Sequence, residues 1–326
     1  MFFVFYLSGV NGGYDWIMDS MYQIAMSKPI NFSQGHISFY PFRKHHTLIN
    51  GFNVLTFMVK NYIDRKLLFA IQPDFTKIII EAINNNYYIS TFLNKDILLG
   101  GEGDTFHPSY IFGYDSAKRT FLISDNFYNG KNGVLEADFS VVQRAYESAV
   151  QTNAQRKGNR VVYFYHLNEN FSHKFSKDRL THQIENYLSS TGEEFVFPDN
   201  NMEMIAYGLD TYQKLYEQIE GITTDHIDFR NFTFICDVVS LTKQRIDFLI
   251  EKRIIPFDQH LLDSVNEQNK FCEILVMLCI KYNIKRDSGI KDRVLSYINQ
   301  VRINEERIGY RLLELTKAGK WLEYCD

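Results

Sequence analysis

The chain has 326 residues, 45% of them hydrophobic and 23% charged. It can bury one large core or two moderate ones, and it is too apolar and too evenly charged for a disordered, collagen-like or coiled-coil protein. Its 35 Lys and Arg oppose 39 Asp and Glu for a net charge of -4, with 15 basic and 13 acidic residues up to Arg160 and 20 and 26 beyond it, so neither part has the basic excess of a nucleic-acid binder.

Residues 1–7 (MFFVFYL) lack a cationic leader and fall far short of the roughly 20 residues that span a bilayer. The protein therefore reads as soluble and cytoplasmic, with neither a membrane nor a nucleic acid as partner. Up to about residue 168, short runs of β-branched and aromatic residues read as strands: 2–7, 87–93 (YYISTFL), 161–166 (VVYFYH), and the pair 109–114 and 119–124 around a turn at 115–118. Helical periodicity lies between them at 15–26, at 74–84 after the start signal Pro73-Asp74, and at 138–150. In the last of these Phe139, Val142, Ala145, Tyr146 and Ala149 share one face. Residues 1–168 thus read as an α+β domain.

After Asn168 the strand signals stop. Segments 180–188, 204–219, 229–252, 258–282 and 290–316 carry apolar residues at three- and four-residue steps, as in Ile290, Val294, Tyr297, Ile298, Val301, Ile308, Leu312 and Leu315. Residues 169–326 read as an all-helical domain, with 189–201 as a connecting loop. All four cysteines, Cys236, Cys272, Cys279 and Cys325, lie here without a CxxC pair. They match neither a zinc module nor a disulfide framework and read as buried packing residues.

Chemistry concentrates in the hairpin. His107 opens one strand and Asp125 closes its partner, and antiparallel pairing sets the first residue of one strand beside the last of the next. A carboxylate placed so can orient an imidazole, as the second and third members of a nucleophile–base–orienter triad.

The string His107-x5-Gly113-Tyr114-Asp115, followed by a strand ending in Asp125 and the helix at 138–150, resembles papain-like cysteine peptidases of the bacteriocin-processing type. It resembles still more the N-terminal domain of the butirosin biosynthesis protein H family, papain-like acyl transferases of antibiotic gene clusters. Tyr207-Gly208-Leu209-Asp210, Ile227-Asp228-x-Arg230 and Lys243-x-Arg245-Ile246 are similar to the helical half of proteins from nonribosomal peptide and polyketide clusters. The resemblance implies a papain-like fold, His107 as general base, Asp125 as its orienting partner, and an acyl, aminoacyl or peptidyl substrate presented by a carrier protein or as a peptide intermediate. Asn11, Tyr14 and Tyr207 are its candidate substrate-binding residues, and no cofactor or metal is implied.

One departure bears on mechanism. Those families place a nucleophilic Cys at the start of the first long helix, whereas residues 7–16 here are LSGVNGGYDW, with Gly13 or Tyr14 at that position. Asn11 remains as an amide donor and Ser8 as a hydroxyl, although both are also ordinary turn residues beside Gly12-Gly13. Two readings stay open: a Cys-less acyl or peptidyl transferase or hydrolase, and a degenerate binding scaffold. Three weaker signals complete the sequence. The basic run Arg43-Lys44-His45-His46 reads as a solvated loop or a phosphate contact, Asp225-His226-x-Asp228 lacks the fourth partner a metal needs, and Gly100-Gly101-Glu-Gly103-Asp104 reads as a flexible loop at the mouth of the site.

Overall fold

The computed structural model describes residues 12–28, 35, 37–39, 58–128, 131–152, 160–192, 204–222 and 226–318. Among these, residues 58–171 form one compact unit, and 12–39 together with 172–318 form the other. The strand expected at 2–7 lies outside the described residues, as do Ser8, Asn11, the basic run at 43–46, Asp225 and Cys325.

Helix α1 (Gly13–Ser20) starts from Gly12, whose φ of 76° is left-handed. A Cβ on Gly12 would sit 1.8 Å from the His173 carbonyl oxygen, so both the conformation and the space demand glycine. The sequence periodicity continues to residue 26, but α1 stops at Ser20. Arg245 supplies the stop: its Nε donates to the Met18 carbonyl and its Nη2 to the Met21 carbonyl, each at 2.7 Å, occupying acceptors that a longer helix would bond internally. Beyond it β1 (Ile24–Ser27), buried along its whole length, pairs antiparallel with β2 (Ile37–Phe39), Ala25 opposite Ser38. The Asn231 amide holds this strand from the helical part of the chain, accepting from Ile37 N at 3.0 Å and donating to Gly35 O at 2.9 Å.

The other unit is built on β3 (Met58–Asp64), α2 (Arg65–Ile71), α3 (Phe75–Asn84), β4 (Tyr88–Asn94), α4 (Lys95–Leu98), β5 (Phe106–Asp115), β6 (Thr120–Tyr128), β7 (Lys131–Asp138), α5 (Phe139–Gln151) and β8 (Val161–Leu167). Its sheet has six strands in the order β3-β8-β4-β5-β6-β7, with every neighbouring pair antiparallel. Asp64, Asp74, Asn94 and Asp138 cap α2, α3, α4 and α5 through side-chain oxygens, satisfying first-turn N–H groups. The five α5 residues assigned to one face are the five that are buried. Four of them, Phe139, Val142, Ala145 and Tyr146, pack into a core with Phe75, Ile79, Ile89, Leu93, Ile111 and Phe121, where Phe75 and Tyr146 stack with centroids 3.7 Å apart.

The remaining elements are α6 (Lys177–Leu188), β9 (Met204–Tyr207), α7 (Asp210–Glu220), α8 (Arg230–Glu251), α9 (Gln259–Lys285) and α10 (Ser288–Ala318). The all-helical expectation needs one correction. Residues 204–207, expected to open a helix, instead form β9, which pairs with β1 to complete a three-stranded sheet. Gly208 ends it at φ 50°, with its N–H donating to the Ile24 carbonyl. The division by contacts also differs from a single cut at residue 168. β1 pairs with β9, and Arg245 of α8 caps α1, so the described residues before 40 group with the helices. The protein is α+β, and no helix among the described residues is long and apolar enough to cross a membrane.

Candidate functional site

The site is set by the β5–β6 hairpin and its neighbour β4. Asp115 closes the turn by accepting from Ala117 N and Lys118 N, and Arg119 leaves it at φ 56°. From there the register runs Asp115 opposite Thr120 and Tyr110 opposite Ser124, with a bulge between Ile111 and Gly113. His107 pairs with Leu93 of β4. Ser109 lies two residues on from His107, so both project from one face of the strand.

That face meets Asp125, whose side chain is 1% exposed. Its Oδ2 accepts the Ser109 hydroxyl hydrogen at 2.8 Å. Its Oδ1 lies 2.5 Å from His107 Nδ1. The ring N–H is not aimed along that line, and Nδ1 is buried without an aligned hydrogen-bond partner. The distance is the more telling of the two, because a small turn about the broad terminal torsion of the imidazole directs the N–H onto the carboxylate. The imidazole itself is 40% exposed. Nδ1 is the buried edge of the side chain, so the exposure falls on the rest of it. Carboxylate inside, imidazole between, solvent beyond is the order a general base requires.

The glycine-rich segment before His107 is tied down more firmly than its composition suggests. Thr105 N donates to Asp96 Oδ2 at 2.8 Å, Gly101 N to the Asp96 carbonyl at 2.7 Å, and Asn94 Nδ2 to the Gly103 carbonyl at 3.0 Å. The bond from Thr105 holds the Asp96 carboxyl below its usual range. The expected flexible loop is therefore pinned to α4.

Of the candidate binding residues, Tyr14 sits half-buried on α1 with its ring edge toward Phe248, centroids 5.6 Å apart, and burial raises its phenol. Tyr207 ends β9 opposite Ala25. Both belong to the helix-rich unit, whereas His107 and Asp125 lie together in the sheet unit; Asn11 lies outside the described residues.

Ser109 is the site residue that the sequence reading missed, and its signal was the two-residue step from His107. A second histidine–carboxylate contact was missed as well. Asp19 of α1, fully buried, accepts from Ser20 Oγ at 2.7 Å, from Ser176 N at 2.7 Å and from His173 Nε2 at 2.8 Å. The His173 side chain is 11% exposed, and Arg179 Nη1 lies 3.2 Å from its Nε2 and 3.3 Å from its Nδ1. The imidazole thus contacts both the Asp19 carboxylate and the Arg179 guanidinium, so the cluster works as a clasp between α1 and the start of α6.

A groove of about 580 Å³, bordered by Asn61, Ile63, Lys77, Ile78, Tyr87 and Phe164, lies on the same unit as His107 and includes none of the candidate residues. Among the described residues, no group of three or more His, Cys, Asp or Glu side chains is placed to hold a metal ion.

The chain matches no family model and no curated protein.

Proposed function

We propose that the protein is a papain-like accessory factor of specialised-metabolite biosynthesis. In this reading it transfers or hydrolyses an acyl, aminoacyl or peptidyl group held as a thioester, with His107 as general base. The observation that supports the reading is a buried carboxylate 2.5 Å from Nδ1 of an imidazole whose side chain is 40% exposed. Asp125 favours the tautomer carrying hydrogen on Nδ1, which leaves the Nε2 lone pair outward.

An amine or water then attacks the thioester carbon while Nε2 takes its proton. When the tetrahedral intermediate collapses, the carbon–sulfur bond breaks and the imidazolium returns the proton to the departing thiolate. A thioester is already activated, so a base worth ~10²–10⁴ together with positioning is sufficient without a protein nucleophile.

A second reading rests on the absence of any cysteine before Cys236. In it the protein is a degenerate scaffold that binds an acyl- or peptidyl-carrier protein, and the His107–Asp125 pair is structural. Incubation of the full chain with aminoacyl and acyl thioesters of pantetheine plus a primary amine separates the two. Thiol release above the buffer rate supports the catalytic reading. Saturable binding of a loaded carrier protein without release supports the scaffold.

A further inference from the structure

β3 is an edge strand. Among the described residues it pairs with β8 alone, in an unbroken register from Met58 opposite Leu167 to Asp64 opposite Val161. Its other side therefore presents a row of main-chain N–H and C=O groups, a template on which a further strand can form. Protein edges are commonly blunted by a proline, a bulge, a short length or an outward lysine. β3 has no proline and no bulge, and it runs for seven residues. Its one lysine is turned aside, with the Lys60 ammonium 4.1 Å from the centroid of the Tyr163 ring on β8. Exposed apolar side chains lie along it: Val59, Ile63 and, at 68%, Tyr62, followed by Leu67 and Ile71 of α2.

We propose that β3 pairs antiparallel with β3 of a second copy of the chain, about a two-fold axis at Asn61, so that two six-stranded sheets become one. Such an axis stands normal to the sheet and keeps corresponding faces on the same side, so residues opposite each other lie an even number of positions apart. Of the registers this permits, the one centred on Asn61 uses all seven residues. It is also self-complementary. On the face where Asn61 and Ile63 border the groove, Val59 of one copy meets Ile63 of the other, apolar against apolar, with the two Asn61 amides between them. On the opposite face Lys60 meets Tyr62 and lies diagonal to Asp64, which brings opposite charges within reach. Each pair occurs twice, because the contact is isologous. An unrelated peptide strand would satisfy the main chain but lacks this matching.

Sedimentation equilibrium of the full chain across the micromolar range should show a species of twice its 38.4 kDa mass. Tyr62→Lys sets a lysine against Lys60 on both sides of the axis and should raise the dimer dissociation constant about tenfold or more. Its circular dichroism should match wild type, because Tyr62 is exposed. Asn61→Cys should form an intermolecular disulfide under mild oxidation, seen on a non-reducing gel above the background that the native cysteines give in wild type. Val59→Cys should not, since the register sets its two copies four residues apart, roughly 13 Å along the strands and beyond disulfide reach. A wild-type chain that stays monomeric overturns the proposal and leaves the edge to a peptide strand. A dimer that tolerates Tyr62→Lys, or one that Val59→Cys bridges as readily as Asn61→Cys, makes its contact elsewhere or in another register and overturns it too.

Discussion

Ser109 and Asp125 face each other across the β5–β6 ladder, the serine hydroxyl donating to Oδ2 at 2.8 Å and leaving Oδ1 to His107. The serine thus fixes which edge of the carboxylate the imidazole meets. Ser109→Ala should cost about 1–3 kcal/mol, the usual penalty for a buried acceptor deprived of its donor. It should lower thioester turnover by less than removal of His107 does. Urea denaturation and steady-state rates measure the two effects; an unchanged urea midpoint would show that the serine contributes nothing.

Arg245 should prove essential to the end of α1. Its guanidinium is fully buried, bonds the Met18 and Met21 carbonyls and lies 5.0 Å from the Tyr22 ring centroid. Burial lowers its pKa to about 10, so it stays charged at neutral pH. Arg245→Met retains much of the apolar stem but strands the carbonyls, at about 1–3 kcal/mol for each one left buried without a partner. The expected result is a lower urea midpoint and a changed near-ultraviolet circular dichroism signal from Trp16 and Tyr22. A midpoint equal to wild type would contradict the capping role.

Glu305 gives the helical unit a pH dependence of defined sign. It is buried on α10 beside Gln268 Nε2 at 3.0 Å and the Tyr187 hydroxyl at 3.2 Å. Burial pushes its carboxyl up from 4.5 to about 7, with the bonds from Gln268 and Tyr187 pulling the other way. Because the folded value is the higher one, the folded state binds the extra proton. This contribution to stability is complete below about pH 4.5 and is lost as pH rises to about 7. The full change is on the order of 3 kcal/mol. Glu305→Gln removes the titration, so stability curves of variant and wild type should diverge in slope across that window. Parallel curves would contradict it.

How much was legible beforehand depended on sequence distance. The buried face of α5, the hairpin and the three long helices α8 to α10 announce themselves through local periodicity and turn residues. β9 does not. Met-Ile-Ala-Tyr is four residues long and becomes a strand only because β1, some 180 positions away, offers an edge. Tertiary pairing there overrides a helix-like pattern.

The same holds for the early end of α1, set by an arginine more than 220 residues downstream. His107 and Asp125 could be paired from sequence because one hairpin holds both. Asp19 and His173 could not, since 154 residues separate them and neither has a local motif. The buried polar residues Asn304 and Glu305 were also hidden, lying within a stripe otherwise read as apolar.

The most direct measurement is the rate of thiol release from a thioester substrate by wild-type protein, His107→Ala and Asp125→Asn, with substrate binding measured alongside. Both variants should lose ~10²–10⁴ in turnover, the asparagine by favouring the wrong imidazole tautomer, while binding changes by no more than a few-fold. Turnover by His107→Ala equal to that of wild type, on a substrate that wild type consumes, would contradict a catalytic role for the pair.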